Sequence, residues 1–399
     1  MWKEFFKFDL VYQLKQPLLW VFAVIMALMA FGATTSDSVQ IGGAIGNINR
    51  NAPTVVAQML GIFSLLAMFL VTVFIAGAVL RDSEVGMADM LFATPMRKRD
   101  YLFGRFAAGF VACLVIFAAI ALATMLGPLM PWVDAQRVGP FALHTYAWSF
   151  AVIVIPNLLF VGALLMLLAA TTRSMLLVYV GVLGFFVLWA VAGVFTRDIN
   201  NEWVAVLLDP FGLRAFGRMT RYFTSAESNT SLPPLSGFLL TNRLLWLGIT
   251  AVLFLATVAL FKPHRTGTGK RLFGKPKMQA AGPAVSAPLH LPRTLPNFTT
   301  ATAWRQWWHI LRFDAAGVFK SVPFLVMLLF GVINLLAGAN VGKNMYGTAV
   351  YPMTHLMLQN ISNSFSFMLI IIVTFYAGEL IFKERQVKIA DVSDAMPVP

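Results

Sequence analysis

Residues 55–80 read VVAQMLGIFSLLAMFLVTVFIAGAVL, without one charged side chain. As a helix rising about 1.5 Å per residue, such a run crosses a hydrocarbon core of about 30 Å. Working outward, similar runs occupy 17–35, 106–131, 146–170, 175–195, 243–261, 322–340 and 361–382. In lipid, backbone N–H and C=O groups must pair within their own segment, so these runs are expected to be helices. A β-barrel would instead give short alternating segments. The first run is followed by further spans and no small-residue cleavage site ends it, so it reads as a span and not as a signal peptide. Composition agrees: 59% of residues are hydrophobic, 12% are charged, and the mean hydropathy is +0.76. Soluble domains carry roughly 25% charge. The expected fold is an all-α polytopic membrane protein with about eight transmembrane helices.

Lys and Arg set the expected orientation. With the N-terminus in the cytoplasm, 22 of them fall in inner segments and eight in outer ones. The inner segments are 1–16, 81–105, Arg173, 262–320 and 379–399; the outer cations include Arg50, Arg137, Arg214 and Arg243. Much of the net charge of +13 sits in 262–320, beside an expected anionic leaflet. The basic pI therefore needs no nucleic acid to explain it.

One pattern occurs twice. Trp2, Lys7, Phe8, Asp9 and Lys15 precede the run that begins at Pro17; Trp307, Arg312, Phe313, Asp314 and Lys320 recur at the same spacing ahead of the run at Pro323. After the next run, Arg81, Asp82, Val85, Ala88, Asp89, Ala93 and Pro95 align with Lys383, Glu384, Val387, Ala390, Asp391, Ala395 and Pro397. The expected organisation is a six-span unit over 1–261, a basic Pro/Gly-rich cytoplasmic linker over 262–303, and the start of a second, incomplete unit over 304–399. The chain is thus expected to be part of a longer tandem protein. The aromatic-basic stretches 2–16 and 304–320 suit amphipathic helices at the membrane interface, either as plain anchors or as moving parts.

Signals for catalysis fail. Gly269-Lys270-Arg271-Leu272-Phe273-Gly274-Lys275-Pro276 lacks the final Ser or Thr of a phosphate-binding loop and follows no strand. The histidines His144, His264, His290, His309 and His355 are scattered, with no zinc-peptidase spacing. Cys113 stands alone in a span and reads as apolar filler. No catalytic or metal-binding residue is assigned, and no cofactor is expected on this chain. The runs show no charge near their centres, which argues against proton- or sodium-coupled transport. Asn157 is the most polar group at depth; Pro156 is expected to kink the fourth span and Asn157 to bond the freed backbone, with a substrate contact as the alternative.

Residues 81–96 read RDSEVGMADMLFATPM, followed by Arg97, Lys98, Arg99, Tyr101 and Gly104. This segment resembles the signature loop of type-2 ABC transporter permeases, the exporter-like membrane subunits. An arginine-acid pair, a glycine, a short amphipathic helix and an Ala-Thr-Pro turn carry the resemblance. The six-span unit and the long outer segment 197–242 fit as well. The tandem arrangement further resembles the membrane half of bacterial permeases fused to a zinc aminopeptidase, a domain that would lie beyond Pro399. The resemblance implies a multi-pass protein of the bacterial inner membrane that exports an unknown substrate. It also implies a separate ATPase subunit carrying ATP and magnesium, lipid contacts, and pairing of permease units as a homo- or heterodimer. The residues implied to dock the ATPase are Arg81, Asp82, Glu84, Gly86, Met87, Met90, Leu91 and Pro95. Met87, Met90 and Leu91 are spaced to share one helix face, and Pro95 is expected to end that helix. In the second copy the docking positions are Lys383, Glu384, Val387, Asp391 and Pro397, but Gln386 stands for Glu84 and Lys388 for Gly86. The rival functions are a membrane anchor for a fused peptidase and an ATPase-binding regulator that moves nothing.

Overall fold

The computed structural model describes residues 1–36, 47–94, 96–195, 202–262 and 299–321, with scattered positions between 324 and 380. The chain divides into two compact units, Met1–Pro263 and His264–Pro399. The described fold is helical, apart from a two-residue antiparallel pairing of Asn344–Met345 with Thr348–Ala349.

In the first unit, α1 (Trp2–Lys15) is followed by α2 (Pro17–Thr35). Gln16 is extended between them because a residue before proline avoids helical geometry, while Pro17 suits the first turn of a helix. Along α2, Leu19, Ala23, Met26, Ala30 and Thr34 form a buried stripe, packed chiefly on α6 (Lys98–Leu126). The opposite face shows Val21, Val24, Ile25 and Leu28. A helix apolar on every side is stable when lipid covers what protein does not.

The second hydrophobic run forms α3 (Pro53–Val71), a π-turn at Thr72–Ala76, and α4 (Gly77–Glu84). The Phe74 carbonyl in that turn accepts a hydrogen bond from Gln13 Nε2 of α1 at 2.9 Å. A Cβ on Gly109 would come within 2.6 Å of the same carbonyl oxygen, so α6 crosses here backbone to backbone. After α5 (Ala88–Phe92) and α6 come α7 (Leu143–Ser149), a second π-turn at Phe150–Val154, and α8 (Ile155–Thr172). Pro156 lies just past that turn. It has no N–H to give, and its ring crowds the carbonyl four residues back; the wider turn lets the helix continue through it.

Next are α9 (Met175–Phe195), the short α10 (Glu202–Leu207), α11 (Leu213–Met219) and α12 (Ser225–Thr230), then α13 (Gly237–Leu260). The α13 helix packs mainly on α8. Among the described residues, five helical stretches are long and apolar enough to cross a membrane: Pro17–Thr35, Pro53–Asp82, Lys98–Leu129, Leu143–Thr172 and Gly237–Leu260. The chain is a multi-pass membrane protein on this ground. In α9 the described apolar stretch, Leu177–Phe186, is shorter. The expected spans 322–340 and 361–382 and the linker fall mostly outside the described residues.

Two expected boundaries move. The third span starts at Lys98, not 106, and the sixth at Gly237, not 243. Hydropathy treats a charge as an edge, whereas Arg105 and Arg243 are inside their helices because partners compensate them. The second unit opens with α14 (Thr300–Phe319), capped by the Thr299 hydroxyl, which accepts from the Thr302 amide.

Candidate functional site

The termini of α1, α4, α6 and α13 meet at one end of the first unit. Their junction is ionic. Asp9 of α1 is fully buried and takes hydrogen bonds from both Arg81 of α4 and Arg105 of α6, the latter at 2.9 Å. Arg105 also reaches Asp82 at 2.5 Å, and the Tyr101 hydroxyl donates to Asp82 at 2.9 Å. Two carboxylates thus face two guanidiniums, and the four charges cancel in a site mostly closed to water. Breaking such a pair from one side costs about 3–5 kcal/mol. Helix α1 is therefore tied to α4, α6 and the first π-turn by Asp9 and Gln13, while Trp2, Phe8, Val11 and Tyr12 stay exposed. A Cβ on Gly104 would meet Phe5 Cβ at 2.6 Å and the Trp2 carbonyl at 2.8 Å, which explains the tight seating of α1 on α6.

An aromatic cage caps the junction. Tyr101 meets Phe5 and Phe92 edge to face and stacks on Phe261, just past α13. Arg173, in a left-handed turn after α8, donates to the Lys262 carbonyl. A small cleft here is lined by Val79, Leu80, Phe92, Tyr101, Arg173 and Phe261, among others.

The docking segment expected as one helix is two. Arg81, Asp82 and Glu84 end α4, and Gly86 then adopts φ +72° and turns the chain into α5. Glycine adopts this left-handed geometry at no steric cost. The Arg81 and Asp82 side chains join the ion cluster and stay partly exposed, at 21% and 14%. The proposed Met87/Met90/Leu91 face is divided: Met87 is 55% and Met90 71% exposed, whereas Leu91 packs on the core with Phe92. Met87 lies just before α5, its carbonyl accepting from the Leu91 amide at 3.0 Å. Pro95, the side chain of Glu84, and Lys383, Glu384, Val387, Asp391 and Pro397 lie outside the described residues.

A second polar cluster joins Asn157 of α8 to Arg243, near the start of α13, and to the loop before α11 that holds Asp209. Arg243 of α13 is 4% exposed and Asp209, before α11, is fully buried. Arg243 donates to Asn157 Oδ1 at 2.8 Å, to Asn242 Oδ1 at 2.6 Å and to the Pro210 carbonyl at 3.3 Å. Asn157 donates in turn to Ser64 Oγ at 2.7 Å and to the Phe211 carbonyl at 3.1 Å. Its role is thus to join three elements, not to satisfy backbone freed by Pro156. Asp209 accepts from Trp189 Nε1 at 3.0 Å and from the amides of Phe211 and Arg214 at 3.2 and 2.8 Å. Asn242 donates to the carbonyls of Val206 and Asp209. Gly212, at φ +71°, lies against the Arg243 guanidinium, where any Cβ would collide with it. The cluster pins the 206–212 segment against α3, α8, α9 and α13.

Two clues in the sequence bore on these sites. A carboxylate repeated as Asp9 and Asp314 amid basic residues requires cationic partners, and the polarity of Asn157 at depth requires donors or acceptors nearby. Neither says which residues answer, because contacts across about a hundred positions have no local signature. Among the described residues, no His, Cys, Asp and Glu side chains gather in a group able to hold a metal. No family model matches the chain, and no curated protein matches it.

Proposed function

We propose that this chain is the membrane subunit of a type-2 ABC-like exporter of the bacterial cytoplasmic membrane, driven by a separate ATPase that binds ATP and magnesium. The observation that carries this reading is the build of the loop between α4 and α6. Val85, Met87 and Met90 face outward, while Leu91 and Phe92 are rooted in the core beside Tyr101. Exposed flexible thioethers suit a partner groove. A push on this loop would reach α1, α6 and the end of α13 through one ionic and aromatic junction.

The loop lies at the basic end of the unit, which the charge rule assigns to the cytoplasm. Export of a substrate, pairing of permease units, and the second docking copy around Lys383 and Pro397 belong to the same reading. The 206–212 segment at the other end of the spans is then its natural outer closure.

The test is co-purification of the full-length membrane protein with its ATPase. Met87→Asp with Met90→Asp removes the two outward anchors and leaves Leu91 in place. A desolvated interface anchor is worth about 2 kcal/mol or more, roughly 30-fold in affinity. The doubly substituted protein should insert normally, lose the ATPase, and no longer stimulate its hydrolysis. Unchanged binding would mean that the loop is not the docking element. If no ATPase accompanies the unmodified protein, with or without ATP, a membrane anchor without transport becomes the better description.

A further inference from the structure

Three buried polar atoms of the α1–α4–α6 junction have no partner among the described residues: Asp9 Oδ2, Gln13 Oε1 and Arg105 Nε. The residues that carry them are 0%, 3% and 3% exposed. A desolvated polar atom left unpaired is costly, and native interiors rarely tolerate one. In the Asn157–Arg243 cluster, by contrast, no such atom occurs among the described residues.

The bonds already made fix what is left over. Arg81 and Arg105 both donate to the same carboxylate oxygen, Asp9 Oδ1, so Oδ2 receives neither. The Phe74 carbonyl requires a donor, which sets Gln13 Nε2 toward it and turns Oε1 away. Asp9 and Gln13 are four residues apart on α1 and share its buried face, so the two bare acceptors are one turn from each other. Arg105 spends its terminal nitrogens on Asp9 and Asp82, and Nε–H is the donor that remains.

Chemistry narrows the ligand. An anion is repelled by the two bare oxygens, one of them a carboxylate's. A monovalent cation would add charge to a cluster in which two acids and two guanidiniums already cancel, and it would sit beside Arg81 and Arg105. What fits is small, neutral and able both to donate and to accept, which is water. It has a way in, because the Arg81 and Asp82 side chains leave one edge of the cluster open to solvent.

We propose that the junction is a binding site for ordered water. One molecule donates both its protons, to Asp9 Oδ2 and to Gln13 Oε1. A second accepts from Arg105 Nε–H. Helix α1 is then fastened to α6 and the first π-turn partly through exchangeable water, which lets the contact part and re-form without stranding a charge. The proposal rests on the ion cluster and not on the exporter reading, so the two can fail separately.

Crystals of the full chain grown from a lipid mesophase, at a resolution that shows ordered water, test this directly. One peak should lie within hydrogen-bond distance of both Asp9 Oδ2 and Gln13 Oε1, and another within that distance of Arg105 Nε. Neither should give an anomalous signal after a soak in rubidium or in bromide. Rubidium at the first position or bromide at the second would make this an ion site and overturn the proposal. Direct contact of Asp9 Oδ2 with Gln13 Oε1, which requires a shared proton, would overturn it too. Gln13→Met keeps the bulk of the side chain and removes Oε1; the first peak should vanish and the second stay. A first peak unchanged by that substitution would also refute the assignment. If the substituted chain does not fold, the soaks of the unmodified chain still decide.

Discussion

Arg105 touches two carboxylates from two other helices, Asp9 at 2.9 Å and Asp82 at 2.5 Å, with almost none of its own surface exposed. Arg105→Met keeps the stem's bulk but leaves two acids facing Arg81 alone. The expected loss is about 3–5 kcal/mol of stability, measurable as a lowered midpoint of denaturant unfolding in mixed micelles. Gly109 supplies a second residue-scale test. In Gly109→Ala the new methyl would lie 2.6 Å from a backbone oxygen, which cannot swing aside as a side chain can. Overpacking of this kind costs about 1–3 kcal/mol. Gly248→Ala in α13 has open space around it and should be neutral or slightly stabilising, because alanine is the better helix former. An equal response of the two in the same unfolding measurement would refute the close crossing of α6 over the π-turn. At this scale the sequence was only partly legible. Repetition singled out Asp9, Arg81 and Asp82, but Arg105 and Arg243 were read as span edges, because hydropathy averages over neighbours in sequence and is blind to a partner in space.

Elements were legible where periodicity is long and obscure where backbone geometry departs from it. The run 55–80 announces a helix, yet nothing in its composition marks Thr72–Ala76 as a π-turn. That extra residue per turn sets the phase of α4. Deleting Val73 would let the turn relax to ordinary α-helix, which closes the same turn with one residue fewer, so Arg81 and Asp82 would keep their phase about the axis. The ion cluster would then keep its α4 members. With Cys113→Ala, Asp9→Cys and Arg81→Cys, a short bifunctional thiol reagent should join α1 to α4 in the chain of normal length. The joined species should persist after the deletion; its disappearance would mean that no π-turn absorbs the extra residue. The segment 81–96 shows the same limit from the other side. Its apolar spacing suggested one shared face for Met87, Met90 and Leu91, but Met87 precedes α5, and of the three only Leu91 packs on the core.

For the molecule as a whole, the ends of the first unit differ in chemistry, and that difference fixes an expected orientation. One end gathers α1, Arg81, Lys98, Arg173 and Lys262; at the other, Arg50 donates to the Thr34 and Ser36 carbonyls and neutral side chains bond to loops. Asn51 and Gly139 exchange two hydrogen bonds, Asn49 and Asn47 meet Asn229, and the Thr54 hydroxyl donates to the Ser228 carbonyl. Cations are retained on the cytoplasmic side during insertion, so the first end should face inward. Thr94, just past α5, and Ser225, at the start of α12, are both exposed and lie at opposite ends of the spans. Single cysteines at these positions, with Cys113→Ala, should therefore respond oppositely to a membrane-impermeant maleimide added to intact cells. Thr94→Cys should react only after the membrane is opened, and Ser225→Cys should react before. The reverse order would turn the molecule over and move the docking loop away from any cytoplasmic ATPase, removing the exporter reading together with the orientation. Reaction of both before opening would mean that the helices between them do not cross the membrane as an odd-numbered set. The fold would then need a re-entrant segment among α6, α8 and α9, and α9, whose described apolar stretch is the shortest, is the place to look.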